Sequence, residues 1–244
     1  MEAKMPDRAS GPAIMASVLL LAFDTATPAV TVALTDGTAI LAEHTEVDAR
    51  RHGELLAPGI AEVLHAAGRS RADLTDVAVG VGPGPFTGLR VGLVTARALG
   101  DALGISVHGV CTLDVLAADV RHDSPFAVAT DARRREVYWA RYEAPDPDPA
   151  APPRRLTEPS VDWPHVVAPQ LPDLPVAGEG AVKYPDSFSR AIEPVLPSAA
   201  TLALLAARTL ARGGALLPPQ PLYLRRPDAV EPGARKPVSQ PALR

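Results

Sequence analysis

The chain is short of several things, and each shortage excludes something. One cysteine, Cys111, in 244 residues can close no internal disulfide and cannot build a cysteine-based zinc site, so a reducing compartment, by default the cytoplasm, is expected. There is no basic surplus. The 24 Lys and Arg stand against 28 Asp and Glu, a formal charge of −4, whereas an autonomous nucleic-acid binder carries a clear positive excess. Any RNA contact is then a local patch or is completed by a partner. The longest apolar run near the start, Val18 to Phe23, is too short to cross a membrane, and acidic residues precede it where a secretion signal carries net positive charge. The six histidines (His44, His52, His65, His108, His122, His165) include no pair four residues apart. The helical two-histidine metal motif is therefore missing. No GxSxG nucleophile elbow is present either, and Cys111 has no catalytic signature around it. Arg outnumbers Lys by 21 to three, which with abundant Ala and Pro reads as genome composition and not as function.

What is present is ordinary globular material: 47% hydrophobic, 21% charged, mean hydropathy near zero. The length suits one large or two small domains. Residues 1–16 lack apolar periodicity and read as a disordered leader, with Met15 a candidate start. VLLLAFDT then reads as a central strand buried on both faces, and TPAVTVALTDG alternates toward a hairpin turn at Asp36-Gly37 before TAILAEHTEV. ELLAPGIAEVLHAA carries Leu56, Ile60, Val63 and Leu64 at helical spacing, closed by Gly68. DVAVGVG is a second buried strand, GPGPFTG leads into the helix LRVGLVTARALGDALG, and a strand ISVHGV and a helix near 112–120 follow. The order predicts a first α/β lobe over 17–111, helices on a mixed sheet. FAVATDARRREVYWARYE opens a second lobe over 112–197 with two strands about a charged turn. The two lobes have the character of divergent copies of one unit. Residues 144–175, dense in Pro, read as extended surface loop. Ser198 caps a helix over 198–213 that is expected to pack back on the first lobe, and 228–244 reads as a mobile tail.

Two segments invite chemistry. The Gly-rich turn that includes Gly82, Gly84, Phe86, Thr87 and Gly88 stands where a phosphate cradle would. Pro83 and Pro85 remove two amide donors, no Lys follows, and neither the dinucleotide nor the P-loop spacing is met. A structural turn that brings helix and sheet close is favoured over direct phosphate binding. Asp24-Thr25-Ala26-Thr27 ends the first strand, a place suited to a metal-positioning carboxylate with a Gly-rich hairpin, but Ala26 and Pro28 replace the flexible backbone. The basic clusters Arg133-Arg134-Arg135, Arg154-Arg155 and Arg225-Arg226 are solvated turn charges or phosphate contacts.

The remaining signal is a surplus of apolar helix. After Gly88, small and apolar side chains cover roughly 220° of the wheel where a surface helix needs about 100°. Gly88, Gly92, Ala96 and Gly100 lie four apart, and the glycines cost helix propensity that close backbone approach to another element offsets. On the first helix, Leu55, Gly59 and Ala66 lie beyond the core stripe. Such surface marks a protein interface more often than a ligand site.

FDTATPAVTVAL, RHGELLAPGIAEVL, VAVGVGPGPFTGLRVGL, GVCTLDVLA and DARRREVYWARY, followed by GEGAVKYP and PLYLRRPDA, resemble the bacterial TsaB (YeaZ) family of tRNA threonylcarbamoyladenosine biosynthesis. The GPGxFTGLRxG and DARRxEVYWxxY segments are the specific ones. The resemblance implies an actin-like (ASKHA) two-lobe α/β fold, mixed sheets flanked by helices, with no catalytic residues, metal or cofactor of its own. It implies pairing with the transferase TsaD through the two helices, recruitment of the ATPase TsaE by that pair, and tRNA contact only within the complex. Carried onto this sequence, the partner-facing residues are His52, Leu55, Leu56, Gly59, Glu62, Val63 and Ala66 of the first helix with Arg90, Leu93, Val94 and Arg97 of the second. Alone, the same face is expected to form a homodimer. Arg133, Arg134 and Arg135 are the candidate tRNA contacts. The rival reading is a small-molecule phosphotransferase or a peptidase-like enzyme on the same fold.

Overall fold

The computed structural model describes residues 18–225 apart from 147, 149 and 150. The leader expected over 1–16 and the tail expected over 228–244 lie outside the described residues.

The first sheet begins with β1 (Leu20–Asp24), every residue of it buried. An apolar run with no polar face has to lie in the middle of a covered sheet. β1 does so, antiparallel to β2 (Ala29–Thr35) and parallel to β4 (Asp76–Gly80). β3 (Ile40–Val47), with alternating exposure, forms one edge, and β5 (Ser106–Val110) lies beyond β4, giving the order β3-β2-β1-β4-β5. The Asp36-Gly37 turn works through Asp36, whose carboxylate accepts from the amides of Thr38 and Ala39 and from the Thr38 hydroxyl. Those donors hold its pKa down at about 2.

Between strands, α1 (His52–Ala66) and α2 (Phe86–Leu103) cover one face of this sheet, packing Leu56, Ile60, Val63, Leu89 and Leu93 against Phe23, Val32 and Val79. Gly68 follows α1 with φ 62°, the left-handed step that ends a helix.

The second sheet repeats the plan. β6 (Phe126–Asp131), β7 (Val137–Tyr142) and β8 (Ser160–Asp162) run antiparallel, and β9 (Val176–Ala177) and β10 (Ala191–Ile192) add in parallel on the far side of β6, in the order β10-β9-β6-β7-β8. In both sheets the strand that begins the unit is central and ends in an aspartate, Asp24 and Asp131. The two sheets thus share one strand topology, as divergent copies of one unit would. The closing helices cross over. α3 (Thr112–Asp119), at the end of the first unit, packs Leu113, Leu116 and Ala117 on Phe126, Val128 and Tyr142 of the second sheet. α6 (Ala199–Ala211), capped by the Ser198 hydroxyl, packs Leu202, Ala203 and Ala206 on Leu20, Ala22 and Ala33 of the first.

The Pro-rich stretch is more regular than its composition indicates. Within 144–175 it holds β8 and the one-turn helix α4 (Pro164–Val167). β8 is an edge strand three residues long, where a neighbouring proline removes no needed donor, and Pro164 sits in the first helical turn, where its missing N–H is not used. Arg155 pins the stretch to α3 by a two-pronged ion pair with Asp114 (2.6 Å from Nε), to which the Tyr142 hydroxyl also donates (2.8 Å).

After α6 the chain runs back over the first lobe without regular structure. Leu217 exchanges both backbone hydrogen bonds with Gly109 of β5, and the Leu222 amide donates to the Val81 carbonyl (2.8 Å). Arg225 then ion-pairs with Glu136 of the second lobe. We call residues 215–225 the strap. No helix among the described residues is long and apolar enough to cross a membrane.

Candidate functional site

The turn after β1, the candidate place for a metal-positioning carboxylate, encloses its aspartate in protein, while Thr25 and Thr27 border a cavity. Asp24 is fully buried. The Ala26 amide donates to its Oδ1 (2.6 Å) and the Thr112 hydroxyl to its Oδ2 (2.7 Å), while a methyl group at Gly80 would overlap the carboxylate. Burial pushes the Asp24 carboxyl up to about 6 in spite of those two donors. The Thr25 hydroxyl donates to the Gly88 carbonyl (2.7 Å) and accepts from the Gly92 amide (3.0 Å), so it bridges a turn of α2 backbone. A Cβ at Gly88 would stand 2.6 Å from the Thr25 carbonyl, and one at Gly92 2.7 Å from the Thr25 hydroxyl. Gly84 abuts Ala26 in the same way. Gly82, at φ 86°, turns the chain into this contact. The His52 Nε2–H donates to the Thr27 carbonyl (2.8 Å) and locks the other side. The glycines at 80, 84, 88 and 92 thus bring a helix onto a turn, the structural reading of that segment.

The equivalent turn of the second lobe is built differently. Asp131 is held by the Lys183 ammonium (2.7 Å) of α5 (Glu179–Lys183), and more loosely by Arg133 (3.8 Å). Glu179, raised above the usual carboxyl range chiefly by burial, accepts from the Asp131 amide (3.2 Å). Arg133, Arg134 and Arg135 all take left-handed backbone, with φ of 61°, 52° and 64°. Each such step costs a residue with a Cβ roughly 1 kcal/mol. The Ala132 amide to Glu136 carbonyl and Glu136 amide to Arg133 carbonyl bonds (both 2.9 Å) hold the turn in that shape. All three arginines are exposed.

The residues expected to face a partner divide. Glu62, Ala66, Arg90, Val94 and Arg97 are exposed. The others need correction, because the first sheet takes up more of the helix surface than the wheel allows for. Leu55, Leu56, Val63 and Leu93 are 7%, 1%, 0% and 3% exposed, inside the chain's own core. Gly59 lies over His44 and Val32 of the sheet, and His52 is committed to Thr27. The four-residue small stripe of α2 likewise faces inward, with Gly100 abutting Val107. Arg90 and Arg97 are exposed yet engaged. Arg90 Nε donates to the Tyr223 hydroxyl (2.8 Å) and its guanidinium lies 3.5 Å from the centre of the Phe86 ring, while Arg97 Nε donates to the Pro219 carbonyl (3.0 Å). Outward on α1 are Ala57, Pro58, Ala61 and Glu62 and on α2 Val94 and Ala98, with Val94 65% exposed. The strap was missed as a site element; PLYLRR has neither helical nor alternating period, so only its anchor points disclose it.

Two cavities meet at the arginine turn. One, of about 350 Å³, is lined by Gly84–Phe86, Ala132–Arg134, Tyr138 and the strap. The other, about 250 Å³, lies between the first turn, Arg50, Thr87 and Arg133. Among the described residues no three His, Cys, Asp or Glu side chains are placed to hold a metal.

The duplicated 3-2-1-4-5 sheet with exchanged closing helices defines the actin-like two-lobe class. Within it, the family model described as TsaD, tRNA N6-adenosine threonylcarbamoyltransferase, matches residues 39–151. YeaZ from Pseudomonas aeruginosa is 32% identical with a TM-score of 0.72, over 85% of this chain and all of that one. An uncharacterized protein of Mycobacterium tuberculosis is 46% identical over 86% of this chain and 93% of its own length. The Escherichia coli protein named tRNA threonylcarbamoyladenosine biosynthesis protein TsaB is 40% identical over 51% of this chain and 54% of its own length. The chain belongs to the TsaB (YeaZ) family.

Proposed function

We propose that this chain is the non-catalytic, activating subunit that pairs with TsaD and supports transfer of the threonylcarbamoyl group to the adenosine beside the tRNA anticodon. Membership of the TsaB family gives it a role in tRNA threonylcarbamoyladenosine biosynthesis; the finer reading is ours. The observation that carries it is the sealed first turn. Asp24, the carboxylate that ends the first strand, has both oxygens occupied by hydrogen-bond donors and the backbone at Gly80 packed against it.

TsaD docks on the outward face of α1 and α2, centred on Val94 with Ala61, Glu62 and Ala98. The small exposed side chains at Ala57, Ala61 and Ala98 let a partner helix approach closely. In the absence of TsaD a second copy covers the same face, and the assembled pair recruits TsaE. The chain works in the cytoplasm, with its single cysteine buried and free.

Co-purification with TsaD from the same organism, joined to a reconstituted tRNA modification assay, tests this. Val94→Glu is expected to abolish both pairing and modification with the melting temperature unchanged, since Val94 contributes little to the core. Leu93→Glu is expected to unfold the protein. Full modification in the absence of this chain overturns the proposal. So does ATP or peptide hydrolysis by the isolated chain that is lost in Asp24→Asn, which instead establishes the enzyme reading.

A further inference from the structure

The interlobe cleft of about 350 Å³ combines three features that the helix face does not need. Phe86 and Tyr223 line it, half exposed, with ring centres 5.5 Å apart and planes 23° from parallel. Arg90 ties the pair together, its guanidinium over one ring and its Nε on the hydroxyl of the other. These are two of only ten aromatic residues in the chain, left wet but fixed in place. Arg133 and Arg134 of the turn line the same cleft, together with Arg225, whose charge is already paired with Glu136. Asp131 is bound more closely by Lys183 than by Arg133, which leaves most Arg133 donors to other acceptors. The lining is otherwise apolar: Gly84, Pro85, Ala132 and Leu224.

We propose that this cleft takes an unpaired nucleotide of the RNA that the complex modifies, its base against the Phe86–Tyr223 pair and its phosphate on the arginine turn. The proposal rests on the functional reading above only in taking RNA as the substrate. The chemistry selects this ligand. A bare anion gains nothing from aromatic and apolar walls, and an uncharged apolar ligand gains nothing from the guanidinium of Arg133. A base with its phosphate uses both, by stacking and by charge-assisted hydrogen bonds. The base has to be unpaired, because in a duplex its faces are already stacked. The volume, near the lower end of small-ligand sites, admits one nucleotide and not a helix. Left-handed backbone runs through the turn at Arg133, Arg134 and Arg135, and the first two of these line the cleft, the kind of local strain that collects at binding sites.

The test uses the complex of this chain with TsaD and intact tRNA. Two variants report independently: Tyr223→Ala removes half of the stacking pair, and Arg133→Glu with Arg134→Glu reverses the turn. Arg154→Glu, an exposed arginine on the Pro-rich stretch, is the control. Both cleft variants are expected to raise KM for tRNA at least tenfold, with kcat within twofold and TsaD co-purification unchanged. Replacing the two turn arginines by alanine is expected to lower the salt dependence of tRNA binding by one to two phosphate contacts. Photo-crosslinks from tRNA carrying 4-thiouridine are expected in the peptides with Phe86 or Tyr223. Unchanged KM in both variants, where omission of the chain still abolishes modification, overturns the cleft assignment and leaves the scaffold reading standing. Modification that does not need the chain overturns the scaffold reading itself. Millimolar ATP or AMP that protects Tyr223 from crosslinking, where tRNA does not compete, identifies a free nucleotide as occupant and overturns the RNA assignment.

Discussion

The turns after β1 and β6 occupy the same place in two copies of one topology, and they have gone opposite ways. At the first, an aspartate is enclosed by glycine backbone and two hydrogen-bond donors, and the turn has become packing. At the second, an aspartate keeps a lysine and an arginine at its side, and the turn carries three exposed arginines on strained backbone, two of which line an open cleft. One copy gave up its surface to bring helix and sheet together; the other kept surface and charge. The same strand-turn-strand geometry therefore supports a rigid joint or a ligand-facing loop, depending on whether glycine lets a helix close over it.

The strongest way to break this contrast is to deny the first turn its close approach. Gly80→Ala sets a methyl on the Asp24 carboxylate, and a loss of about 3 kcal/mol or more in denaturant unfolding is expected, toward the upper end for overpacking. Titration separates the turns next. Folded Asp24 holds its proton to about pH 6, against 3.8 for the ordinary carboxyl, so the unfolded chain releases its proton first as pH rises. The contribution of Asp24 to stability is then fully present below about pH 4, falls through the window from about 4 to 6, and levels off above it, a change of about 3 kcal/mol at most. Asp24→Asn is expected to flatten that window in urea midpoints measured against pH. If the wild-type and Asp24→Asn profiles run parallel through that window, Asp24 is not enclosed as described.

The second turn responds more gently. Asp131→Asn weakens pairs with Lys183 and Arg133, both about half exposed, so a loss of about 1 kcal/mol at neutral pH, reduced by salt, is expected. The smallest effect has the opposite sign. Arg135→Gly relieves a left-handed residue and is expected to gain up to about 1 kcal/mol in thermal unfolding, offset in part by the added freedom of the unfolded chain. A loss there would show that the Arg135 side chain contributes to the turn.

Much of the frame was legible in the sequence because it depends on local pattern. The unbroken apolar run of β1, the alternation of β2, the Asp36-Gly37 turn and the Ser198 cap each state their structure within a few residues. The four-spaced glycines of α2 announced a close approach but not its target. A helical wheel has no knowledge of how wide a sheet the helix meets, so Leu55, Leu93 and Gly59 read as outward when the two leucines belong to the first core and Gly59 lies against His44 and Val32. The strap could not be read at all, because Arg90 meets Tyr223 across 133 residues and Arg97 meets Pro219 across 122.

By itself, then, the sequence determined the kinds of element, the family, and the presence of a glycine turn where a phosphate loop would stand. Hydrophobic period, turn chemistry and short motifs are local and survive in one dimension. Tertiary structure decided which apolar face remained outward, which of two equivalent aspartates was enclosed, and that aromatic and arginine side chains far apart in the chain line one cleft. Those outcomes depend on which surfaces meet, and burial and charge pairing act only once the two sheets have closed on their helices.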